Sequence, residues 1–322
     1  MTCTTRRHFI GALSGAGLVW LGAAAPVRGE SEPAALARPT DIGSTSRLEI
    51  LPLVDWVTAS PELRGEAGVS YLVRSDASTI LFDVGGNLED GDPSPLEANM
   101  QRLGVRLADI DTIVISHLHM DHVGGQSFVR QASFSLGRRQ VELGGKRVVV
   151  PTAMRYPGVE PLVAHAPVRL APGVLTTGTI TGALPIGPVD EQALAVRVQG
   201  RGVVLIVGCG HQGLARLLAR TAQLFDEPLY GIVGGLHYPV PRGRLFAGGL
   251  DVQRWATYGT GAGPSPQDVQ RDIDLLAARQ PQWVSLSPHD SSDEMIEQFR
   301  KTFGARYHEL RVGEPQVIGG AP

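Results

Sequence analysis

The sequence predicts an α/β fold in which two β-sheets are flanked by helices. Strands dominate the first part of the chain, and helices then alternate with strands, in an order repeated roughly twice. The 322 residues are 43% hydrophobic and 19% charged, which is enough apolar material for a sizeable core. No internal repeat with a period of about 20–50 residues is present, so a repeat architecture is not expected.

Residues 1–25 are expected to form an export signal that is not part of the fold. Arg6 and Arg7 precede a run of small and apolar residues that ends in an alanine-rich segment. The paired arginines before Phe9 resemble a twin-arginine signal, a route that exports folded proteins and often their cofactors. The run is shorter than the ~20 residues that span a bilayer. We therefore expect a periplasmic or secreted protein without a stable membrane anchor after signal cleavage.

Composition narrows the possible partners of the mature chain. Residues 26–46 are rich in Pro, Ala, Ser and Arg and are predicted to be a linker. Of the two cysteines, Cys3 lies in the signal, so Cys209 would be alone after cleavage. This excludes a disulfide scaffold and a four-cysteine zinc site. A net charge of −3 and a pI near 6.3 give no indication of a nucleic-acid partner. The oligomeric state is not indicated.

Nine strands are predicted from short apolar runs between turn residues. They are expected at residues 48–54, 69–73, 79–84, 113–115, 148–150, 193–198, 203–207, 229–233 and 283–286.

Four helices are predicted, and polar residues that can cap their first turns mark most of them. The first begins after the N-cap Ser94, and the second lies between the seventh and eighth strands. The third begins after Ser265. The capping-box pair Ser291 and Glu294 predicts the start of the fourth, and Gly304 its end.

A dense group of metal-binding residue types follows the apolar run 113–115. His117, His119, Asp121 and His122 fall within six residues. Imidazole nitrogen and carboxylate oxygen suit zinc, and also iron or manganese. At a strand end, alternate side chains can point inward, so His117 and His119 can share one metal while Asp121 and His122 reach a second. Two such metals can activate a bridging water.

This HxHxDH pattern resembles the signature of the metallo-β-lactamase superfamily. The sequence Leu81-Phe82-Asp83-Val84-Gly85 also matches the strand that usually precedes the signature. The resemblance covers about residues 47–318 and implies one αββα sandwich domain, with two mixed β-sheets flanked by helices. It implies a metal site at the top of the two sheets, and it is much less specific for substrate.

Three later motifs resemble one branch of the superfamily. They read GCGHQG at residues 208–213, GGLH at residues 234–237 and SPHD at residues 287–290. This set is similar to the dihydropterin ribofuranosylaminobenzene phosphate synthase-like proteins, which have GCSH, GGFHL and a terminal histidine motif. Gly210 replaces the common serine of that branch, and Asp290 replaces a cysteine, so synthase activity does not follow from the resemblance.

The resemblance also suggests further ligands. His289 matches the last histidine of the superfamily and would complete the second metal. Glu191 stands where a further histidine is usual, and a carboxylate can replace it. At the position of the bridging aspartate the chain has Cys209 and His211, of which we favour His211 as a ligand.

Two other positions are expected to act beside the metals. His237 follows a Gly-Gly turn, where it can ligate, donate a proton or hold a developing oxyanion. Asp83 is expected to orient a ligand histidine. The long Gly- and Pro-rich segment 238–266, which contains Phe246, Trp255 and Tyr258, is predicted to be a binding loop beside the site.

These observations favour a metal-dependent hydrolase that acts on an ester, lactone or phosphoester of a small molecule. Two divalent metal ions, zinc or else iron or manganese, would be its cofactors, and Asp121 and His237 its candidate catalytic residues. The alternatives are an iron-dependent redox enzyme on the same fold, a pterin-branch synthase or transferase, and a binding protein without catalysis. The intact HxHxDH motif disfavours the last of these.

Overall fold

The computed structural model describes residues 39–185, 187–257 and 263–320. The predicted export signal, residues 26–38 of the predicted linker and Tyr258 lie outside the described residues. The strands and helices run from Arg47 to Gly319. Within the described ranges, no helix combines the length and hydropathy that crossing a membrane would require.

Seventeen strands occur in the described residues, and they include all nine predicted strands to within a residue or two at each end. They are β1 (Arg47–Val54), β2 (Ser70–Arg74), β3 (Thr79–Phe82), β4 (Thr112–Val114), β5 (Arg147–Val150), β6 (Leu162–Val163), β7 (Arg169–Ala171), β8 (Val174–Thr176), β9 (Ile180–Leu184), β10 (Gly187–Glu191), β11 (Leu194–Val198), β12 (Gly202–Val207), β13 (Leu229–Gly234), β14 (Phe246–Ala247), β15 (Leu250–Asp251), β16 (Trp283–Leu286) and β17 (Gln316–Gly319).

Most strands belong to two large mixed sheets. The first has the order β17-β1-β2-β3-β4-β5-β6, with antiparallel pairs up to β3 and parallel pairs beyond it. The second has the order β16-β13-β12-β11-β8-β7, in which β16, β13 and β12 are parallel. The pairs β9–β10 and β14–β15 form small separate sheets.

Alternating side chains of β12 show how the layers stack. Val203, Leu205 and Val207 belong to an apolar cluster that also contains helix residues. Val204 and Ile206 belong to a different cluster, shared with strands of the first sheet. Because successive strand residues face opposite sides, β12 must lie between a helical layer and the other sheet. Burial on both faces also explains why this strand is a continuous apolar run.

The first sheet repeats this arrangement on its own outer side. In β3, Ile80 and Phe82 join the cluster between the sheets, whereas Leu81 joins a third cluster. That third cluster includes Leu96 and Met100 from a helix outside the first sheet. The four layers are therefore helix, sheet, sheet and helix, and the predicted αββα sandwich is confirmed.

Six α-helices occur in the described residues: α1 (Pro95–Arg102), α2 (Gln126–Arg130), α3 (Leu214–Leu224), α4 (Val252–Trp255), α5 (Pro266–Ala277) and α6 (Asp293–Phe303). The predicted starts of α1 and α5 are confirmed, since Ser94 and Ser265 are their N-caps. Both form capping boxes, Ser94 with Glu97 and Ser265 with Asp268. Gly304 ends α6 with a positive φ of 54°, as expected of a glycine there.

The predicted cap of α6 is wrong by one residue. Ser292, and not Ser291, is the N-cap, because its hydroxyl accepts the backbone N–H of Met295. The hydroxyl of Ser291 instead donates to the carboxylate of Asp290. Glu294 is therefore one position too early in the helix to complete a capping box.

The strand ends that carry the predicted motifs meet at one edge shared by the two sheets. The strands β12, β13 and β16 are parallel neighbours, so their C-terminal ends meet there. The end of β4 reaches the same place, because a Cβ on Gly208, just after β12, would collide with the hydroxyl of Ser116. All four predicted motifs lie at one of these strand ends.

Candidate metal centre

Four loops at this edge bring the predicted site residues together. The loop after β4 contains the HxHxDH motif, and the loop after β12 contains Cys209 and His211. His237 follows β13, and His289 follows β16. The ring centroids of His211 and His237 are 4.7 Å apart, although 26 positions separate them in the chain.

The possible ligand atoms form three groups, and within each group all of them lie within 4.8 Å of one another. The first group is His117, His119 and His211; the second is Asp121, His122, Cys209 and His289; the third is Cys209, His211 and His237. All six predicted ligands fall in the first two groups. The structure thus groups His117 with His119 and Asp121 with His122, as the sequence-based division placed them, and the two metals stay a prediction.

The first group is oriented through a serine. The hydroxyl of Ser116 lies 2.6 Å from Asp83 Oδ2 and 2.9 Å from His117 Nδ1. Because an ionised carboxylate only accepts, Ser116 donates to Asp83 and accepts the Nδ1–H of His117. The lone pair of a neutral His117 is then on Nε2, which is buried without a hydrogen-bond partner.

A second serine orients the second group in the same way. The hydroxyl of Ser287 lies 2.6 Å from Asp55 Oδ2 and 2.6 Å from His289 Nδ1. By the same reasoning it accepts the Nδ1–H of His289 and donates to the carboxylate. His289 Nε2, with its lone pair, lies 3.2 Å from the sulfur of Cys209.

Asp83 makes the contact predicted for it. Its Oδ2 lies 2.8 Å from His122 Nδ1, and its Oδ1 accepts the backbone N–H of Ser116 at 2.6 Å. The Nε2 of His122 points to the sulfur of Cys209 at 3.1 Å. Asp83 thus orients His122 directly and His117 through Ser116, as carboxylates commonly do for metal-binding histidines.

His237 is held in an unusual backbone conformation. Its φ is +56°, a region that few residues other than glycine adopt, and its N–H donates to Asp290 Oδ2 at 2.9 Å. Its Nε2 lies 2.8 Å from the carbonyl oxygen of Gln253 and must donate to it. In the neutral ring Nδ1 is therefore a lone pair, which suits a ligand or a proton acceptor and not the proton donor considered from the sequence.

Glu191 is not in any of the three groups. Its two carboxylate oxygens accept the backbone N–H groups of Cys209, Gly210 and His211, at 3.0, 2.8 and 2.7 Å. The carboxylate therefore shapes the turn that presents Cys209 and His211 and does not replace a ligand histidine. The resemblance to the superfamily pointed to this residue but gave no information on its orientation.

Burial keeps five of the six rings uncharged. It lowers the pKa of His119 to about 3 and that of His237 to about 4, and it lowers the pKa values of His117, His211 and His289 well below the usual range. For His122 burial also lowers the pKa, but the carboxylates of Asp121 and Asp83 outweigh it and raise the pKa to about 9. This pocket of acids and lone pairs favours a positive charge.

The donor set fits divalent metal ions. His117 Nε2, both ring nitrogens of His211 and His237 Nδ1 are buried and have no hydrogen-bond partner. Such unpaired groups are costly in a protein interior, and a metal ion would satisfy them. Nitrogen, carboxylate and sulfur donors together suit zinc, and also iron or manganese.

Besides Ser116, four further supporting residues were not identified from the sequence. Asp55, Ser287 and Asp290 lie beside the ligand histidines, and Gln253 contacts both His237 and His289. Ser287 and Asp290 lie next to the predicted ligand His289 in the sequence, and this proximity could have identified them. No sequence feature identifies Asp55 or Gln253, because their partners are distant in the chain.

The segment after His237 does pack against the site. The side-chain amide of Gln253 donates to the carbonyl of His289 at 2.7 Å, and Arg244 contacts the carbonyl of Pro288. Arg244 also pairs with Asp293 and is 11% exposed, so it is not free to bind an anionic substrate. Of the predicted aromatic residues, Trp255 is 54% exposed, and Phe246 lies under the guanidinium of Arg242.

A family comparison agrees with this geometry. Residues 63–213 match the model of the family described as the metallo-beta-lactamase superfamily. The chain contains a metallo-β-lactamase superfamily domain. The match includes the HxHxDH motif and the GCGHQG turn, and the predicted class, a metal-dependent hydrolase of this fold, is confirmed at the level of the family.

This chain is similar to three individual proteins. A 7,8-dihydropterin-6-methyl-4-(β-D-ribofuranosyl)-aminobenzene-5′-phosphate synthase from Methanocaldococcus jannaschii is 21% identical over 61% of this chain and 80% of its own. The structure of Tm1679, a metal-dependent hydrolase of the β-lactamase superfamily, aligns with a TM-score of 0.59 and 20% identity, over 85% of this chain and all of that one. YhfI from Bacillus subtilis also aligns, with 12% identity and a TM-score of 0.49 over 85% of this chain and all of its own.

Proposed function

We propose that this protein is an exported hydrolase that uses two metal ions to cleave an ester, lactone or phosphoester. The observation that carries the proposal is the pair of adjacent ligand groups, His117, His119 and His211 beside Asp121, His122, Cys209 and His289. Each group offers at least three donors, which is the number that a catalytic zinc commonly takes from protein. When bound, the metals would polarise a carbonyl or phosphoryl oxygen and activate a water molecule.

The exposed side of the site determines where a substrate approaches. In the second group, His122, Cys209 and His289 are at most 1% exposed, whereas the side chain of Asp121 is 15% exposed. Asp121 is flanked by the partly buried Met120. A substrate would therefore approach from this side, over partly apolar side chains, and reach the ligand groups beside Asp121.

Asp121 is the better of the two candidates for proton transfer. Burial raises the pKa of its carboxyl above the usual value, so it binds a proton more readily than an exposed aspartate would. His237 is less suited to give a proton, since its Nε2–H is held by the carbonyl of Gln253. We assign His237 to lone-pair donation, beside His211.

Metal analysis and a substrate screen test the hydrolase proposal. The full chain is purified, its metal content is measured, and it is assayed against panels of esters, lactones and phosphoesters before and after chelation. We expect about two metal ions per chain and a hydrolytic activity that chelation removes and zinc restores. Activity that survives complete metal removal would exclude the mechanism.

A pterin-type transferase is the second candidate, favoured by the similarity to the Methanocaldococcus jannaschii synthase. The turn GCGH and the segment GGLH carry this likeness, whereas Gly210 and Asp290 depart from it. A product assay with a dihydropterin and an aminobenzene phosphate acceptor separates transfer from hydrolysis. Bound iron together with oxygen uptake would instead favour the redox alternative.

Export is proposed from the paired arginines before the apolar run. Replacing Arg6 and Arg7 by lysine should block the twin-arginine route and leave the precursor in the cytoplasm of a bacterial host. Cell fractionation and N-terminal sequencing of the wild-type protein would locate the mature start. Equal export of the lysine variant would contradict the route.

A further inference from the structure

The sulfur of Cys209 lies where the ligand groups meet. It is 3.1 Å from His122 Nε2 and 3.2 Å from His289 Nε2, and it belongs to the second and third groups of ligand atoms. The third group also contains His211, which is a member of the first. Cys209 therefore belongs to the second proposed metal position and lies beside His211, a ligand of the first.

Two ring nitrogens face this sulfur. The Nδ1–H of His122 is directed to Asp83, and that of His289 to Ser287. In the metal-free chain, a protonated His122 can donate its Nε2–H to the sulfur, and the thiol can donate to His289 Nε2. Once a metal ion displaces these protons, both Nε2 atoms and the sulfur are lone-pair donors that face one another and can share the ion.

The unpartnered nitrogens on the other side of the sulfur point to a cation as well. His211 is fully buried, and neither of its ring nitrogens has a hydrogen-bond partner. His237 Nδ1 is likewise buried and unpartnered. A metal ion between Cys209 and His211 would use these lone pairs, which nothing else in the described residues does.

The backbone holds the sulfur in this place. Three N–H groups from Cys209 to His211 are fixed by the carboxylate of Glu191. A Cβ at Gly208 would collide with Ser116, and one at Gly235 would collide with the backbone of Gly208 and with Asp290. The turn therefore has little freedom to move the thiol away from the ligand groups.

We propose that Cys209 binds as a thiolate and that its sulfur bridges the two metal ions. This rests on the two-metal centre of the proposed function and revises the sequence-based preference for His211 alone. Each metal would then have its own histidines and one shared sulfur, and the thiol proton would leave to solvent on binding. Because thiolate selects soft ions, the site should prefer zinc to manganese.

X-ray absorption on the zinc-loaded full chain tests the bridge without any mutation in the site. The protein carries Cys3→Ser, so that Cys209 is its only thiol, and Cys3→Ser alone should not alter metal content. With two zinc ions per chain, a bridging sulfur gives one sulfur neighbour per zinc at about 2.3 Å. One sulfur for every two zinc ions would mean a terminal ligand, and none would mean an inert thiol; either result overturns the bridge.

Cobalt titration of variants gives an independent readout. The Cys3→Ser chain should develop an intense near-ultraviolet thiolate-to-cobalt absorption while it binds two cobalt ions. Cys209→Ser should lose that absorption, and Cys209→Asp should lose it while still binding two ions and gaining affinity for manganese relative to zinc. Two cobalt ions bound without the absorption, or no binding at all, would refute the proposal. An inactive protein that shows the absorption would refute only the hydrolase assignment.

Discussion

The two serine relays of the metal centre are alike in chemistry and different in surroundings. In one relay, Ser116 donates to Asp83 and accepts the Nδ1–H of His117. In the other, Ser287 donates to Asp55 and accepts the Nδ1–H of His289. Each relay fixes the Nδ1–H of one ring and leaves its Nε2 as a ligand atom. The likeness indicates that both ligand groups need a histidine of fixed tautomer.

The difference lies in what else each carboxylate contacts. Asp83 also contacts His122, so one aspartate serves both ligand groups. Asp55 instead accepts from Tyr71 and from the N–H of Trp56, and serves a single ligand. The relay of Asp83 therefore connects the two metal positions, whereas the relay of Asp55 supports one of them.

The largest expected effect follows from removing one ligand of each group. His119→Ala should empty the first metal position and His289→Ala the second, so each variant should fall from two bound metals to about one and lose activity to the metal-free background. Metal analysis and the hydrolase assay measure both effects. His165→Ala is the matched control, because His165 is exposed and in none of the ligand groups. Unchanged metal content in either ligand variant would contradict the division of the ligands between two metal positions.

The sequence could predict this division because the ligands of one motif are neighbours in the chain. Apolar runs likewise located the buried strands, since burial on both faces removes polar residues from them. The relay of Asp55 could not be predicted, because Ser287 lies 232 positions away. Glu191 could be located but not oriented, since its role depends on three backbone N–H groups that only the folded turn directs toward it.

The next effect concerns stability and pH. Burial raises the pKa of Asp55 from 3.8 to about 6, although Ser287, Trp56 and Tyr71 donate hydrogen bonds that oppose the shift. The folded chain thus binds this proton more tightly than the unfolded chain does. The resulting stability is complete below the unfolded pKa and is lost as the pH rises through about 6, by about 3 kcal/mol for a shift of roughly two units.

Denaturant unfolding of the metal-free chain between about pH 4 and pH 7 measures this effect. The wild type should lose about 2.5 kcal/mol over that range relative to Asp55→Asn, whose side chain does not titrate. The comparison with the variant removes the contributions of other buried acids. Parallel pH profiles would show that Asp55 keeps an ordinary pKa in the folded chain.

A smaller effect, on metal affinity, is expected when Asp83 or Asp55 is replaced by asparagine. Asp83→Asn should weaken metal binding at both positions, and Asp55→Asn only at the position of His289, each by about 10- to 100-fold. Titration with a competing chelator, in which the loss of each of the two metal ions is measured separately, gives the affinity of each position. If Asp83→Asn weakened one position and spared the other, the proposed connection through Asp83 would be absent.

The smallest effect on metal affinity is expected when the serine of a relay is replaced and its carboxylate is kept. Ser116→Ala removes the acceptor of the His117 Nδ1–H, and Ser287→Ala that of the His289 Nδ1–H, at a loss of about 1 kcal/mol each, or roughly fivefold in metal affinity. Without that acceptor the ring can move its proton to Nε2, the nitrogen that would bind metal. Nitrogen-15 NMR of the metal-free chain should show this change of tautomer in only one ring for each variant. Ser127→Ala, at an exposed serine outside the site, should leave both rings unchanged. A ring that keeps its proton on Nδ1 in the alanine variant would show that the relay does not set the tautomer.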